Sequence, residues 1–142
     1  MMSIKEKEEE IIAEFESYPD WMDKYNYLIE LGKSLPLIDP ALKDDNHVIN
    51  GCQSKVWLNA EFKEGIVFFQ AESEALITRG MVNLLLKVFS GQKPEDILNN
   101  KLEFIEKIGL KEHLSPTRAN GLLALIKQIR LYAMAFQIKG KE

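Results

Sequence analysis

The 142-residue sequence contains a single cysteine, Cys52, and only two histidines. One thiol cannot close an internal disulfide, and structural zinc sites and iron–sulfur clusters generally need several thiolates or imidazoles. We therefore expect no internal disulfide and no metal centre. Thiol chemistry on this chain depends on Cys52 alone.

Long apolar runs and an excess of positive charge are also missing. No window approaches ~18 consecutive apolar residues, so we expect no membrane span. The 18 Lys and Arg against 22 Asp and Glu leave a net charge of −4. Nucleic acid is therefore not an expected partner, because phosphate neutralisation needs clustered cations that carboxylates do not offset. The acidic residues near the start differ from a secretory signal, so we expect a cytoplasmic protein.

The remaining composition is that of one globular domain. Hydrophobic residues make up 46% of the chain and charged residues 28%, and a chain of this length can bury one core. Apolar residues at helical spacing predict a first helix over residues 4–18, ended by Pro19. Asp20 is a candidate N-cap of a second helix that closes near Gly32. Together they predict a helical hairpin.

Two strands and further helices are predicted after a proline-containing connector. Residues 55–63 alternate apolar and polar side chains, residues 65–72 are rich in apolar residues, and the sequence around Gly65 favours a hairpin turn. A short third strand is predicted at residues 47–50. Helices are predicted after these strands, beginning at Ser73, Pro94, Glu103 and Ser115. The fold class is α+β, with an antiparallel sheet of about three strands and helices packed on one side.

Cys52 lies in a polar loop that leads into the first predicted strand. Gly51 gives the backbone unusual freedom and leaves one side of the thiol uncluttered. Gln53 and Ser54 are polar or small, and loops at the edge of a rigid scaffold carry function disproportionately. Cysteine is also among the most buried residue types. The residues by themselves leave open both a packing role and a chemical role for Cys52.

Arg118 occupies the first turn of the last predicted helix, where the helix dipole favours anions. The cost of a cation there is at most ~1 kcal/mol when it is exposed. A cation beside free backbone N–H groups would suit an anion or a thiolate, although a solvated surface arginine is also compatible with the pattern. His47 and His113 each allow a Cys–His hydrolase to be considered. Neither spacing from Cys52 is a motif.

Residues 50–58, with the sequence NGCQSKVWL, resemble the active-site signature of SufE-type sulfur-acceptor proteins. Residues 21–36, 73–80 and 113–122 follow the same family's pattern, so the resemblance covers nearly the whole chain. It implies an α+β fold similar to that of the IscU scaffold. It also implies that Cys52 accepts sulfur within a motif that includes Gly51, Gln53 and Ser54. Two supporting residues are implied as well, Arg118 near the partner interface and Glu74 beside the cysteine loop.

The resemblance further implies a sulfur relay in iron–sulfur cluster biogenesis. Cys52 would take sulfane sulfur as a persulfide from a PLP-dependent cysteine desulfurase of the SufS or CsdA type. It would stimulate that enzyme and pass the sulfur to a SufB-containing scaffold. PLP would belong to the desulfurase, so this chain would hold no cofactor and have no independent turnover. IscU uses several cysteines, so a chain with one fits relay better than cluster assembly.

Other interpretations stay open at this stage. A CsdE-like acceptor would feed another sulfur pathway, and an adaptor would stimulate its partner without transferring sulfur. A cysteine hydrolase or acyltransferase is the enzymatic alternative. For the relay, we expect the cysteine loop to shelter its sulfur against apolar residues such as Trp57 or Phe69 and to expose it when docked.

Overall fold

The computed structural model describes residues 2–36, 38–49 and 54–140. Within these ranges, two helices are followed by a β-hairpin and then by more helices. The helices are α1 (Ile4–Glu16), α2 (Trp21–Lys33), α3 (Leu76–Phe89), α4 (Pro94–Asn99), α5 (Glu103–Lys107), α6 (Leu110–His113) and α7 (Pro116–Lys139), and the strands are β1 (Val56–Lys63) and β2 (Ile66–Ser73). This order confirms the predicted α+β class.

Side-chain caps set the starts of the first two helices. The Ser3 hydroxyl accepts a hydrogen bond from the Glu6 N–H, and the Glu6 carboxylate accepts one from the Ser3 N–H, both at 3.1 Å. This reciprocal capping box satisfies two N–H groups that a helix end leaves without partners. The Asp20 carboxylate accepts from the Asp23 N–H at 2.9 Å and begins α2. The two predicted helices and the Asp20 cap are therefore confirmed, with α1 ending at Glu16, two residues before its predicted end.

β1 and β2 form an antiparallel hairpin whose register runs from Val56 opposite Ser73 to Lys63 opposite Ile66. Its turn places Glu64 at φ 53° and Gly65 at φ 80°, and positive φ at both central residues is what a tight hairpin turn of this twist requires. Leu58, paired with Ala71, is buried with it on the face that meets the helices. The predicted apolar face of β1 does pack on the core, but Trp57 on the opposite face is also buried, so burial along β1 does not alternate as predicted.

The predicted third strand is reduced to a single bridge between Val48 and Trp57. The Ile49 N–H donates to the Val56 carbonyl at 2.8 Å, and the Leu58 N–H donates to the His47 carbonyl at 2.9 Å. Before this bridge, the Asp44 carboxylate accepts from two backbone N–H groups and closes a turn. The His47 N–H is used in this turn, so the pairing with β1 does not continue from Val48 toward the N-terminus. Residue 50 lies outside the described ranges.

Helix α3 is the centre of the core, and it packs on α2 with the two backbones in close approach. A Cβ added to Gly80 would lie 2.0 Å from the Leu28 carbonyl oxygen, and one added to Gly32 would lie 2.4 Å from that of Leu76. Both positions therefore require glycine. The start of α3 differs from the prediction, because Ser73 still belongs to β2 and the helix begins at Leu76.

A buried polar cluster ties the end of α2 to α3 and β2. Arg79 pairs with the Glu72 carboxylate, and its Nε donates to the Gly32 carbonyl at 3.0 Å. The Asn83 amide donates to the Leu31 carbonyl at 2.8 Å. These side chains satisfy carbonyl groups that the C-terminal turn of α2 leaves without helical partners.

Helix α7 begins as predicted, with Ser115 as N-cap and Pro116 in the first position. The Ser115 hydroxyl accepts from the Arg118 N–H at 3.3 Å. The predicted apolar stripe is confirmed as the buried face of the helix, formed by Leu122, Leu125, Ile126, Ile129 and Ala133. The short helix α6 was not predicted, and it is separated from α5 by Gly109 at φ 71°.

The length and composition of α7 alone would also allow it to cross a membrane, a test that the core helix of a globular protein can equally pass. In this fold, 28% of its 18-residue apolar window is buried inside the molecule. The expected absence of a membrane span stays a prediction.

Candidate functional site

Residues 50–53, which include Cys52, Gly51 and Gln53, lie outside the described ranges. The described residues on either side show where this segment begins and ends. Ile49 is buried and hydrogen-bonds to Val56, and Ser54 lies two residues before that same strand position. The described part of the candidate site therefore lies at the start of β1.

A cavity of about 210 Å³ opens directly beside Ser54. Apolar residues make up much of its lining and are here called the floor, namely Val56, Met81, Val82, Leu122 and Leu125, and the rest includes threonine, serine and Arg118. Three elements far apart in the chain contribute to it, namely β1, α3 with the residue before it, and the first turns of α7. The described residues that line it are Ser54, Val56, Ala75, Thr78, Met81, Val82, Thr117, Arg118, Gly121, Leu122 and Leu125.

Arg118 is brought to this cavity from the first turn of α7 and is held there by a second helix. Its Nη1 donates a hydrogen bond to the Tyr25 hydroxyl of α2 at 2.6 Å. The guanidinium and the N-terminus of a 24-residue helix both favour negative charge nearby. Ser54 and Arg118, two of the predicted site residues, thus line one cavity that has an apolar floor and a cationic side.

Glu74 lies next to the cavity and outside its lining. Its side chain is exposed, and its N–H donates to the Lys55 carbonyl at 3.3 Å, immediately after Ser54. The hydrogen bond joins the residue after β2 to the residue before β1. The structure therefore places Glu74 close in space to the described end of the cysteine segment, and its supporting role stays a prediction.

The two histidines are engaged with other groups. His47 Nδ1 lies 2.7 Å from the Asp44 carboxylate, and the hydrogen bond from this imidazole holds the pKa of Asp44 below its usual value. The His113 ring stacks on Trp21 at 3.8 Å between ring centroids. Among the described residues that line the cavity there is no histidine. The geometry gives no support to a Cys–His pair.

Trp57 and Phe69, the two residues expected to shelter the sulfur, pack against other partners. Lys43 Nζ lies 4.8 Å from the ring centre of Trp57, and the ring of Phe69 meets Tyr132 edge-on at 6.5 Å. Neither lines the cavity beside Ser54, whose apolar floor comes from β1, α3 and α7.

Sequence reasoning missed Tyr25, Thr78 and Thr117 as neighbours of the site. Tyr25 lies on the apolar face of α2, where helical spacing predicts core packing for its ring. Its hydroxyl reaches Arg118 across 93 residues of chain. Helical periodicity shows which face of a helix is buried, but it carries no information on which distant side chain that face meets.

Within the described ranges, no group of three or more His, Asp, Glu or Cys residues is placed to hold a metal ion. Cys52 lies outside those ranges, so the expected absence of a metal centre stays a prediction.

The arrangement of helices around a β-hairpin matches a known α+β fold. A hypothetical protein from Thermus thermophilus, solved in solution, superposes with a TM-score of 0.76. The match covers 91% of this chain and 94% of that one, at 22% identity. At that identity the likeness shows the fold alone.

Sequence comparison identifies the family. Residues 9–133 match the family described as "SufE: Fe-S metabolism associated domain". An uncharacterized SufE-like protein of Rhizobium meliloti is 39% identical over 127 residues, covering 86% of this chain and 91% of that protein. The chain belongs to the SufE family, and this membership supports a sulfur-acceptor role in iron–sulfur metabolism.

Two further relatives show the same relationship. A SufE-like protein of Rhizobium etli is 38% identical over 127 residues, covering 86% of each chain. SufE-like protein 1 of Arabidopsis thaliana, described as chloroplastic/mitochondrial, is 36% identical over 137 residues. That match covers 96% of this chain and only 37% of the plant protein. The plant relative therefore contains much sequence beyond the part shared with this chain.

Proposed function

We propose that Cys52 receives sulfane sulfur from a PLP-dependent cysteine desulfurase and carries it as a persulfide to a SufB-containing scaffold for iron–sulfur assembly. The observation that supports this most is the cavity beside Ser54, which combines an apolar floor with Arg118 at the N-terminus of α7. Family membership supports a sulfur-acceptor role in iron–sulfur metabolism. The cavity supplies a place next to the cysteine segment that suits a sulfur anion.

The transfer step needs only a thiolate and an accessible partner. The Cys52 thiolate attacks the terminal sulfur of the desulfurase persulfide, and a new S–S bond forms on Cys52. The original S–S bond breaks, and its electron pair leaves with the desulfurase thiolate. The transferred sulfur keeps its oxidation state, so no external oxidant or reductant takes part. The PLP chemistry that first releases sulfur from L-cysteine belongs to the desulfurase.

An apolar cavity protects the product of this step. A persulfide is lost when another thiol attacks it, so its lifetime depends on keeping solvent thiols away. The side chains of Val56, Met81 and Leu125 belong to the apolar floor of the cavity of about 210 Å³. This space is several times the ~30 Å³ that one water occupies in the liquid. It is large enough for a terminal sulfur without displacing the walls.

Arg118 favours the charged form of whichever sulfur species lies beside it. A nearby arginine and a helix N-terminus both lower the pKa of a thiol and stabilise its anion. The hydrogen bond from Arg118 to Tyr25 holds the guanidinium at the cavity. In this proposal Arg118 stabilises the anionic sulfur or an acidic group of the docked partner, and Glu74 lies beside the described end of the cysteine segment.

The direct test incubates the purified protein with a cysteine desulfurase and L-cysteine and then measures its intact mass. We expect a gain of one or more sulfur atoms that reductant reverses and that Cys52→Ser lacks. Stimulated desulfurase turnover without any adduct would instead identify an adaptor. Turnover of ester or peptide substrates without a sulfur adduct would identify a hydrolase.

The receiving scaffold is tested in a second step. The sulfur-loaded protein, freed of desulfurase and L-cysteine, is mixed with a SufB-containing complex, and both masses are followed. We expect sulfur to leave Cys52 and to appear on the complex. A sulfur adduct on Cys52 that the complex does not accept would favour a CsdE-like acceptor that serves another pathway.

A further inference from the structure

Helix α7 carries apolar side chains on two opposite sides. Its inward side, which includes Leu122 and Ile129, is buried in the core. On its outward side, Leu123, Leu131, Met134 and Ile138 are 47%, 45%, 48% and 60% exposed. A helix that is apolar all round is normally covered on every side. Among the residues that the structure describes, only the inward side of α7 is covered by the chain itself.

The outward residues form a continuous row, here called the outer stripe, made of Leu123, Lys127, Leu131, Met134 and Ile138. Successive members lie four, four, three and four residues apart. This is the spacing of a seam along which two helices pack. At ~1.5 Å per residue the stripe is roughly 22 Å long. A single exposed leucine needs no explanation, but a row of this length fits a helical partner.

The charge on α7 limits what that partner can be. The helix contains Arg118, Lys127, Arg130 and Lys139 and no Asp or Glu, in a chain whose net charge is −4. Arg130 is already engaged, because it donates to the carbonyls of Leu98 at 3.0 Å and Asn100 at 3.2 Å.

Lys127 lies within the outer stripe itself and is exposed. Covering its ammonium group with an apolar surface would cost free energy unless a carboxylate came with the cover. The occupant must therefore offer both apolar anchors and an acid.

A second copy of this chain does not meet that requirement. Two α7 helices packed together would bring no carboxylate of either α7 to Lys127. The acidic helix α1 already uses its apolar residues Ile4, Ile11 and Phe15 in its own core. Helices that lie on anionic membranes carry many Lys and Arg residues, whereas the outer stripe contains only Lys127.

We propose that the outer stripe docks an acidic amphipathic helix of a partner protein, with apolar anchors against Leu131 and Met134 and a carboxylate facing Lys127. The stripe lies on the side of α7 opposite the buried face that includes Leu122 and Leu125, two of the residues that line the cavity. A helix bound there leaves the cavity accessible. This docking site does not depend on sulfur transfer.

The test uses a synthetic peptide of about 20 residues, long enough to form a helix of roughly 30 Å. It has leucines at alternating three- and four-residue spacing and glutamates on the flanks. One companion peptide replaces every glutamate with lysine, and another has the same composition in scrambled order. Binding to the full-length protein is measured by calorimetry, and methyl NMR spectra locate it. We expect the acidic peptide alone to bind, with shifted signals from Leu123, Leu131, Met134 and Ile138.

Substitutions on the stripe sharpen the test. Leu131→Asp should weaken the acidic peptide at least ~10-fold, as loss of a central anchor does. Lys127→Glu should shift the preference toward the lysine peptide, whereas Lys5→Glu on α1 is the matched charge control and should change nothing. If Leu131→Asp lowers the melting temperature of the protein, Met134→Lys replaces it as the variant that removes a central anchor. Sulfur loading of Cys52 is expected to stay unchanged in Leu131→Asp, which separates this proposal from the sulfur-relay proposal.

Three results would overturn the proposal. The first is equal binding of the scrambled or lysine peptide, which would show nonspecific adhesion. The second is a concentration-dependent dimer in sedimentation that Leu131→Asp abolishes, which would identify a second copy as the occupant. The third is binding to anionic vesicles that Leu131→Asp abolishes, together with no binding to the acidic peptide.

Discussion

Tyr25 is the residue that holds Arg118 in place, through a hydrogen bond of 2.6 Å between α2 and α7. If Arg118 acts on the docked partner, as proposed, Tyr25 is a positioning residue for it. Tyr25→Phe keeps the ring and removes only the hydroxyl. We expect a several-fold increase in the protein concentration needed for half-maximal desulfurase stimulation, with the maximal rate preserved. The reason is that a hydrogen bond to a charged group is one of the stronger kinds.

Two controls separate this effect from damage to the fold. Tyr27→Phe removes a hydroxyl from the same helix, where the Tyr27 ring packs edge-on against Phe15 at 5.4 Å, and it should leave stimulation unchanged. Arg118→Ala should weaken sulfur transfer more than Tyr25→Phe, and a normal rate of Cys52 alkylation in that variant would assign Arg118 to the docked partner rather than to the thiolate. Loss of alkylation together with transfer would point to misfolding or to a direct role of Arg118 in thiol activation.

Glu8 is a carboxylate for which the fold favours the protonated form. Burial raises its pKa above the usual value of 4.5, and the hydrogen bond from Asn100 at 3.2 Å opposes this only in part. Because the folded pKa lies above the unfolded one, the charged form is penalised on folding at neutral pH. Glu8→Gln should therefore raise the free energy of unfolding at pH 7.

The pH dependence gives this prediction its sign. The gain in free energy of unfolding from Glu8→Gln should be constant above the folded pKa of Glu8. It should shrink as the pH falls from that pKa toward the usual value of 4.5, and it should level off below 4.5. Urea unfolding of both proteins at a series of pH values measures the difference directly. An advantage that grew as the pH fell would contradict the assignment.

At the scale of elements, the contact between α2 and α3 depends on glycine. A Cβ at position 80 would lie 2.0 Å from the Leu28 carbonyl oxygen, so the two helices would have to separate. Gly80→Ala should destabilise the protein by about 1–3 kcal/mol, as overpacking does, despite the helix-propensity gain of about 1 kcal/mol. Chemical denaturation measures this change.

Gly140→Ala is the matched control for that substitution. Its added Cβ would lie 3.3 Å from the Phe136 carbonyl oxygen, at the end of α7 and with an ordinary φ of −67°. We expect its free energy of unfolding to change by less than about 0.5 kcal/mol. A similar loss for both variants would show that the α2–α3 approach is not the cause.

At the scale of the whole molecule, the cavity beside Ser54 exists only because β1, α3 and α7 converge. Ala75 is a small residue on its wall, so Ala75→Leu should partly fill it. We expect a Cys52 persulfide to be lost to added thiol several-fold faster in Ala75→Leu, because the sulfur would have less sheltered space. Timed reduction of the loaded protein, followed by intact mass, measures this rate.

Ala13→Leu, on the exposed surface of α1, is the control with the same change in side-chain size. It should leave the lifetime of the persulfide unchanged. An unchanged lifetime in Ala75→Leu, with the protein folded and loaded normally, would show that the cavity does not hold the sulfur.

Much of the fold was predictable because its signals are local. The caps at Ser3 and Asp20 act within three residues, and the hairpin turn depends on Glu64 and Gly65. Alternation and helical spacing show which side of β1 or α7 is buried, since each follows from the geometry of one element. The third strand is shorter than predicted because the turn at Asp44 engages the N–H groups of Asn46 and His47 in competing local hydrogen bonds.

The sequence by itself determined the element order, the single thiol and, through the string around Cys52, the family. The tertiary structure decided which distant residues meet, such as Tyr25 with Arg118 across 93 positions, and which apolar side of α7 stays uncovered. The physical reason is the distance along the chain over which each kind of interaction acts. Caps, turns and periodicity act over a few residues, whereas a cavity or a docking surface arises only when separate elements pack and leave a gap or an open face.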